Sequence, residues 1–325
     1  MKKYFILFLI FFVSLSISSL LNAQIKNFNP QFLRISEDND FINLRGEGTD
    51  RFFTNGTRID LFYTKKKQRK LITKLLMPLG NDADDLYNIG ITQLMFTPSD
   101  ITQINIIKNE RPYAGLLLFN HGLISSNERT KEKLTTEINI GVIGPASFAK
   151  ETQTWIHKAI SYQIPLGWDN QVKNDFIFNY LLRYEKQLLS PTEKFELIGM
   201  IGADAGTLYN QIISGLTFRV GNFNSYFSNY EKSFNYKKFQ FFFYVKPSVI
   251  AFMDNSTLQG GTFTGYQSVH TINADDLTRF YMQFEYGFIL GTRRFGISIN
   301  EKLRTPEYKL SPTIQVGNIT FFIGL

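Results

Sequence analysis

Twelve separate segments of roughly 9 to 15 residues, each rich in Phe, Ile, Leu, Tyr and Thr, constrain this chain more than any other feature. They run near residues 31–38, 53–64, 89–97, 112–124, 133–143, 175–189, 193–206, 208–221, 238–253, 278–290, 293–304 and 311–323, with polar or Gly/Asn/Pro-rich breaks between them. Past the first two dozen residues, no apolar run approaches the ~20 residues that a membrane-spanning helix needs. In Glu137-Ile138-Asn139-Ile140-Gly141-Val142 apolar side chains take every second position, and Thr57 to Tyr63 comes close to the same pattern. Such alternation marks a strand with one apolar and one polar face. In a soluble sandwich two apolar faces meet. In an outer-membrane barrel the apolar face meets lipid and the polar face lines the interior. Periodicity alone does not separate the two folds.

Three further observations favour the barrel. Lys2 and Lys3 precede an apolar or small run from Tyr4 to Leu21, and Ala23 stands before Gln24. That is the charged, apolar, small-residue order of a secretory signal peptide. Residues 1–23 are therefore expected to be removed, leaving 24–325 as one barrel domain; a retained membrane helix is the competing reading. The chain has no Cys, so an exported fold must be held by packing and hydrogen bonds. Aromatics are heavy for a water-soluble domain, at 32 Phe and 16 Tyr against 2 Trp, and suit a lipid-facing wall.

Twelve is also an even number, as bacterial single-chain barrels have. The expected fold is thus an all-β transmembrane antiparallel β-barrel of about 12 strands, with a short helix carrying His157. Tight turns are read at Pro191-Thr192 and Gly291-Thr292, and long loops at 65–88, 98–111, 144–174, 222–237 and 254–277, on the pattern of short turns at one end and long loops at the other. A strand-like stretch at 261–272 reads as a loop hairpin. The alternating C-terminal segment Asn318 to Leu325 suits closure of the barrel. The formal charge of +7 is modest, and the basic cluster Lys65 to Lys70 reads most simply as an exposed loop.

Four clusters carry polar groups that chemistry can use. Glu37-Asp38-Asn39-Asp40 offers hard oxygen donors that suit calcium, although Asp and Asn also favour plain turns. Asp50-Arg51-Phe52-Phe53-Thr54-Asn55-Gly56 places Thr54 and Asn55 near Asn39 and Asp40 if the first two strands pair; Asn55-Gly56 also reads as a turn or bulge. In Asn109-Glu110-Arg111-Pro112-Tyr113, Arg111 has the planar fork that holds a phosphate, and equally the means to pair with Glu110 or to cap the rim. The fourth cluster is the helix-like stretch around His157, followed by Gly167-Trp168-Asp169-Asn170-Gln171. The chain has three histidines, and this one alone lies between strands on a helical segment, where a neutral imidazole can take a proton from water. A lone His is also a common structural residue. Rival chemistries lack their signals: there is no Gly-x-Ser-x-Gly elbow, no His-Glu-x-x-His and no phosphate loop.

Taken together, Asn39-Asp40-Phe41, Asp50 to Gly56, Arg111 to Gly115, Gly141 to Pro145, and Gln153 to His157 with Gly167 to Gln171 resemble the lipid A deacylase family of outer-membrane enzymes, the lipid A 3′-O-deacylases. The motifs lie between about residues 35 and 175; the C-terminal half matches in barrel character only. The resemblance implies a calcium-dependent esterase in the bacterial outer membrane that removes an ester-linked acyl chain from lipid A. It implies His157 as general base, Asn39 and Thr54 as further catalytic residues, Asp40 as the calcium ligand and Arg111 as a substrate-binding residue. Lipid A or lipopolysaccharide and outer-membrane lipids are the expected partners, with no nucleic acid, and a monomer is expected. Two departures stand out: Gln163 occupies a position where the family pattern has a carboxylate, and Ser99-Asp100-Ile101-Thr102-Gln103 lacks the family's Lys. A non-catalytic outer-membrane barrel or a porin is the alternative. The esterase reading requires His157 and the Asn39-Asp40 pair to converge at the outward-facing end, on the outer wall of the barrel.

Overall fold

A computed structural model describes residues 28–42, 51–65, 75–228, 239–292 and 294–325. The expected leader, Asp50 and most of the Lys65 to Lys70 cluster lie outside those residues. Twelve strands follow in order: β1 (Phe28–Asn39), β2 (Asn55–Lys65), β3 (Asp84–Phe96), β4 (Ala114–Asn127), β5 (Glu132–Ile143), β6 (Asp175–Thr192), β7 (Phe195–Gly206), β8 (Tyr209–Asn222), β9 (Phe239–Asn255), β10 (Phe280–Thr292), β11 (Phe295–Arg304) and β12 (Ile314–Gly324). Each pairs antiparallel with its sequence neighbours, and β12 returns to β1 from Phe32↔Gly324 to Asn39↔Gly317, closing the barrel. Closure leaves no unpaired strand edge, the condition for a sheet to sit in lipid. Among the described residues no helix is long and apolar enough to cross a membrane. Among the described residues two α-helices, α1 (Ala149–Ala159) and the short α2 (Ser256–Gln259), lie in connections.

Both ends of the described chain sit at one end of the barrel, with connections 128–131 and 193–194. The opposite end, outer by the usual habit of such barrels, carries residues 40–42, 51–54, 97–113, 144–174, 256–279 and 305–313. Two expected outer loops belong instead to the inner end. Residues 75–79 of the β2–β3 connection lie against the outer wall there, where Leu76 packs among Tyr63, Tyr87, Leu123 and Ile138. Residues 223–228 close the lumen beneath, with Tyr226 hydrogen-bonded to Glu185 and Arg219 over the Phe223 ring. Antiparallel pairing alternates the ends, so loop position follows from strand count and not from loop length. The expected hairpin at 261–272 is irregular chain with a 3-10 turn at Gly265–Gln267. β3 starts at Asp84, five residues earlier than expected, because pairing with Ser126 on β4 sustains a polar strand start that propensity alone would not.

The pleat divides each strand between two environments. Ile59, Ile91, Phe119 and Ile140 are exposed on the outer wall and face lipid. The alternate positions turn polar groups inward. Arg34 and Arg58 both reach Asp60, and Arg58 extends to Glu137 at 2.6 Å; farther round, Arg183 meets Asp204 and Lys302 meets Asp38. Buried charges are tolerable only when paired and hydrogen-bonded. The lumen is thus filled by ion pairs that tie strands across the barrel.

Candidate active site

Strand register assembles the first half of the site. Asn39 pairs with Asn55, Asn55 with Met95, and Met95 with Gly115, so four adjacent strands contribute one row near the outer end. Four residues farther down each strand lie Ile35, Ile59, Ile91 and Phe119, of which the last three are openly lipid-facing. Four residues is two full pleats, so the row shares their outward face. Glu37 and Thr57 lie on the same face: Thr57 donates to Glu37 Oε2 at 2.6 Å, and the Asn55 amide donates to Glu37 Oε1. Polar groups on a lipid-facing wall are costly and mark a functional site by default. At the end of β1, Asn39 Oδ1 accepts the Phe41 N–H at 2.7 Å, forming a tight turn that buries Asp40. Asp40 Oδ2 accepts the Arg51 N–H at 2.5 Å, drawing the β1 and β2 ends together.

α1 supplies the second half. Its buried residues are Ala149, Gln153 and His157, spaced four apart and therefore on one stripe. Ala149 packs with Met95, Tyr113 and Trp168. Gln93, two residues from Met95 on the same outward face, donates to the Ser147 carbonyl at 2.7 Å. A Cβ at position 115 would collide with Ser147 Oγ and Ala149 Cβ, so Gly115 is what lets the helix start lie directly on the wall. The helix thus lies outside the barrel, over β3 and β4, its buried stripe turned to the wall. Trp155, on its far side, is 71% exposed. Trp168 is fully buried, tilts against Tyr113 at 4.9 Å, and donates its indole N–H to Gln153 Oε1 at 2.7 Å.

His157 is 4% exposed. Its Nδ1 meets the main-chain carbonyl of Gln163, and the Tyr162 ring stands edge-on to the imidazole at 5.1 Å. A carbonyl oxygen only accepts, so Nδ1 carries the proton and Nε2 presents the lone pair, the tautomer a general base needs. Asn39, Asp40 and His157 therefore all lie at the outer end, Asn39 on the outward face of β1 and His157 on a helix laid outside β3 and β4.

Similarity to known proteins agrees with this geometry. The family model "Outer membrane protein LpxR" matches residues 7–325. The chain belongs to the LpxR family. Its fold is that of LpxR from Salmonella typhimurium, with TM-score 0.72 and 18% identity over 90% of this chain and 100% of that one. The beta domain of the Bordetella autotransporter BrkA is less alike, with TM-score 0.44 and 7% identity over 92% and 100% of the two chains. No curated protein sequence matches. The lipid A deacylase resemblance and the bacterial outer-membrane location both stand on the family match.

Two further expected site residues, Arg111 and Thr54, are held by protein partners. Arg111 is 1% exposed: its guanidinium donates to Thr257 at 3.1 Å, lies 3.8 Å from Glu307 and stacks over Phe96, while its main-chain N–H is bonded to the Tyr308 hydroxyl. Burial draws its pKa down, against the pull of Glu307. It joins three outer connections. The Thr54 hydroxyl is held to Thr97 at 2.8 Å, and it is the next residue, Asn55, that joins the outward row. Sequence reasoning placed Glu37 among possible calcium donors and Asn55 near Asn39 and Asp40, but gave no role to Gln93 or Gln153. Spacing could have found the latter, one helical turn from His157.

The donor set for calcium is narrow. Among the described residues no three His, Asp, Glu or Cys side chains gather as a metal site. Asp40 and its neighbouring amide and carbonyl oxygens are hard donors of the kind calcium takes, a fit of one carboxylate with neutral oxygens. Gln163 adds no charge, and its side chain is exposed.

Proposed function

We propose that this protein is a calcium-dependent esterase that removes an ester-linked acyl chain from lipid A at the outer face of the outer membrane. The observation that carries the reading is the outward position of His157, on a helix laid against a polar row in a lipid-facing wall. A lipid held there keeps its acyl chains in the bilayer while its ester reaches the helix.

His157 Nε2 takes a proton from water as the water oxygen bonds to the ester carbonyl carbon. The ester C–O bond then breaks, and the proton passes from Nε2 to the departing sugar oxygen, leaving a free fatty acid and a hydroxyl. Gln163 holds the ring through its main chain, so loss of the family's carboxylate at 163 leaves the tautomer intact. Asp40 and neighbouring oxygens would hold the calcium, whose charge offsets the negative charge that grows on the carbonyl oxygen. Thr54 and Arg111 act as positioning residues, the first beside the β2 start and the second beneath the outer connections. The ion pairs that fill the lumen speak against a porin.

Mass spectrometry of lipid A from cells with and without the gene tests the reading. Loss of one acyl chain only where the intact gene is expressed, abolished by H157A and by chelation and restored by calcium, is expected. Unchanged lipid A in outer membranes that contain the folded barrel would overturn it.

A further inference from the structure

Gln153 is the polar residue one turn before His157 on the buried stripe of α1, and it is 2% exposed. The Trp168 indole N–H, which can only donate, sets the orientation of its amide. The atom it meets must be the amide oxygen, which fixes Nε2 on the other limb. Nε2 is buried and finds no hydrogen-bond acceptor in the protein. Buried donors without an acceptor are rare, and each one asks for an explanation. Side chains four apart on a helix stand ~5–6 Å from one another at Cβ. Two side chains so spaced can address neighbouring atoms of one bound ester, the imidazole its attacking water and the amide its carbonyl oxygen.

We propose that Gln153 Nε2 donates a hydrogen bond to the substrate's ester carbonyl oxygen as that oxygen becomes negative, with Trp168 as the positioning residue that sets the amide's orientation. The proposal rests on the esterase reading and adds a neutral donor on the helix side of the oxyanion. No bond to Gln153 forms or breaks, and both amide protons stay on Nε2. Such a donor acts more strongly on the transition state than on bound substrate, so its loss lowers kcat more than it raises KM.

The test uses the purified full-length barrel with lipid A in detergent mixed micelles, reading fatty-acid release. Q153E keeps an acceptor for the Trp168 indole and removes the donor; Q153M removes both without adding charge. Each is expected to lose ~10²–10³-fold in kcat with KM within ~3-fold. In a W155F background, Trp168 emission is expected to stay as in wild type for Q153E and to shift for Q153M. Wild-type kcat in Q153M, a loss confined to KM, or a shifted emission accompanying the Q153E loss would each overturn the donor. The esterase reading fails separately, through a wild-type protein without turnover or an H157A variant with full activity.

Discussion

The lumen and the outer wall beneath α1 both hold polar side chains, yet they satisfy them differently. Inside, Asp60 is met by Arg34, Arg58 and Asn88, and Arg58 goes on to Glu137, so charges and donors are consumed by one another. Outside, the row of Asn39, Asn55 and Gln93 leads to a helix whose Gln153 keeps an amide N–H without a protein acceptor. A network that satisfies itself stabilises the barrel and is chemically silent. A polar patch set against lipid with bonding capacity left over fits the proposed ligand site.

Substitutions can break this contrast from either side. The largest expected effect is at the wall: H157A should lose ~10²–10⁴-fold in rate, the usual worth of a general base, while its unfolding temperature stays with wild type. Unfolding at a lower temperature would make His157 structural. In the lumen, D60A leaves two arginines facing an emptied site and should cost about 3–5 kcal/mol of stability. It should be read as a lower denaturant midpoint, with activity per folded molecule preserved; a selective loss of activity would join the two regions functionally. G115V pushes the start of α1 off the wall. A displacement of about 1 Å is enough for a ~10²-fold loss of rate, against a stability change of about 1–3 kcal/mol. Equal activity would show that α1 does not need the wall. The smallest effect belongs to Q163A, which keeps the main-chain carbonyl that holds His157 and should stay within ~3-fold of wild-type kcat; a large loss would assign the side chain a role.

Much of this was legible beforehand, for a local reason. Alternation is written into each segment, so strands such as Glu132–Ile143 and the closing strand Ile314–Gly324 could be located without neighbours. Loop placement was not legible in the same way: residues 65–88 look like any long loop, and only the alternation of ends puts residues 75–83 at the inner rim. The surroundings of Arg111 were not legible, because its residue type suits a phosphate as well as it suits a buried strut. Its partners Thr257, Glu307 and Tyr308 come from connections 146 to 197 residues away along the chain.

The chain alone located twelve strands, supplied the leader and aromatic load that favour a barrel over a sandwich, and showed which short motifs carry polar chemistry, because periodicity and residue type are properties of neighbours. Tertiary structure decided that Asn39 faces outward, that His157 is turned to the wall from a helix outside the barrel, and that Arg111 is buried among outer connections. Which face a side chain takes depends on register with a partner strand, and which groups meet depends on where loops from distant strands come to rest. Neither is encoded in any single segment.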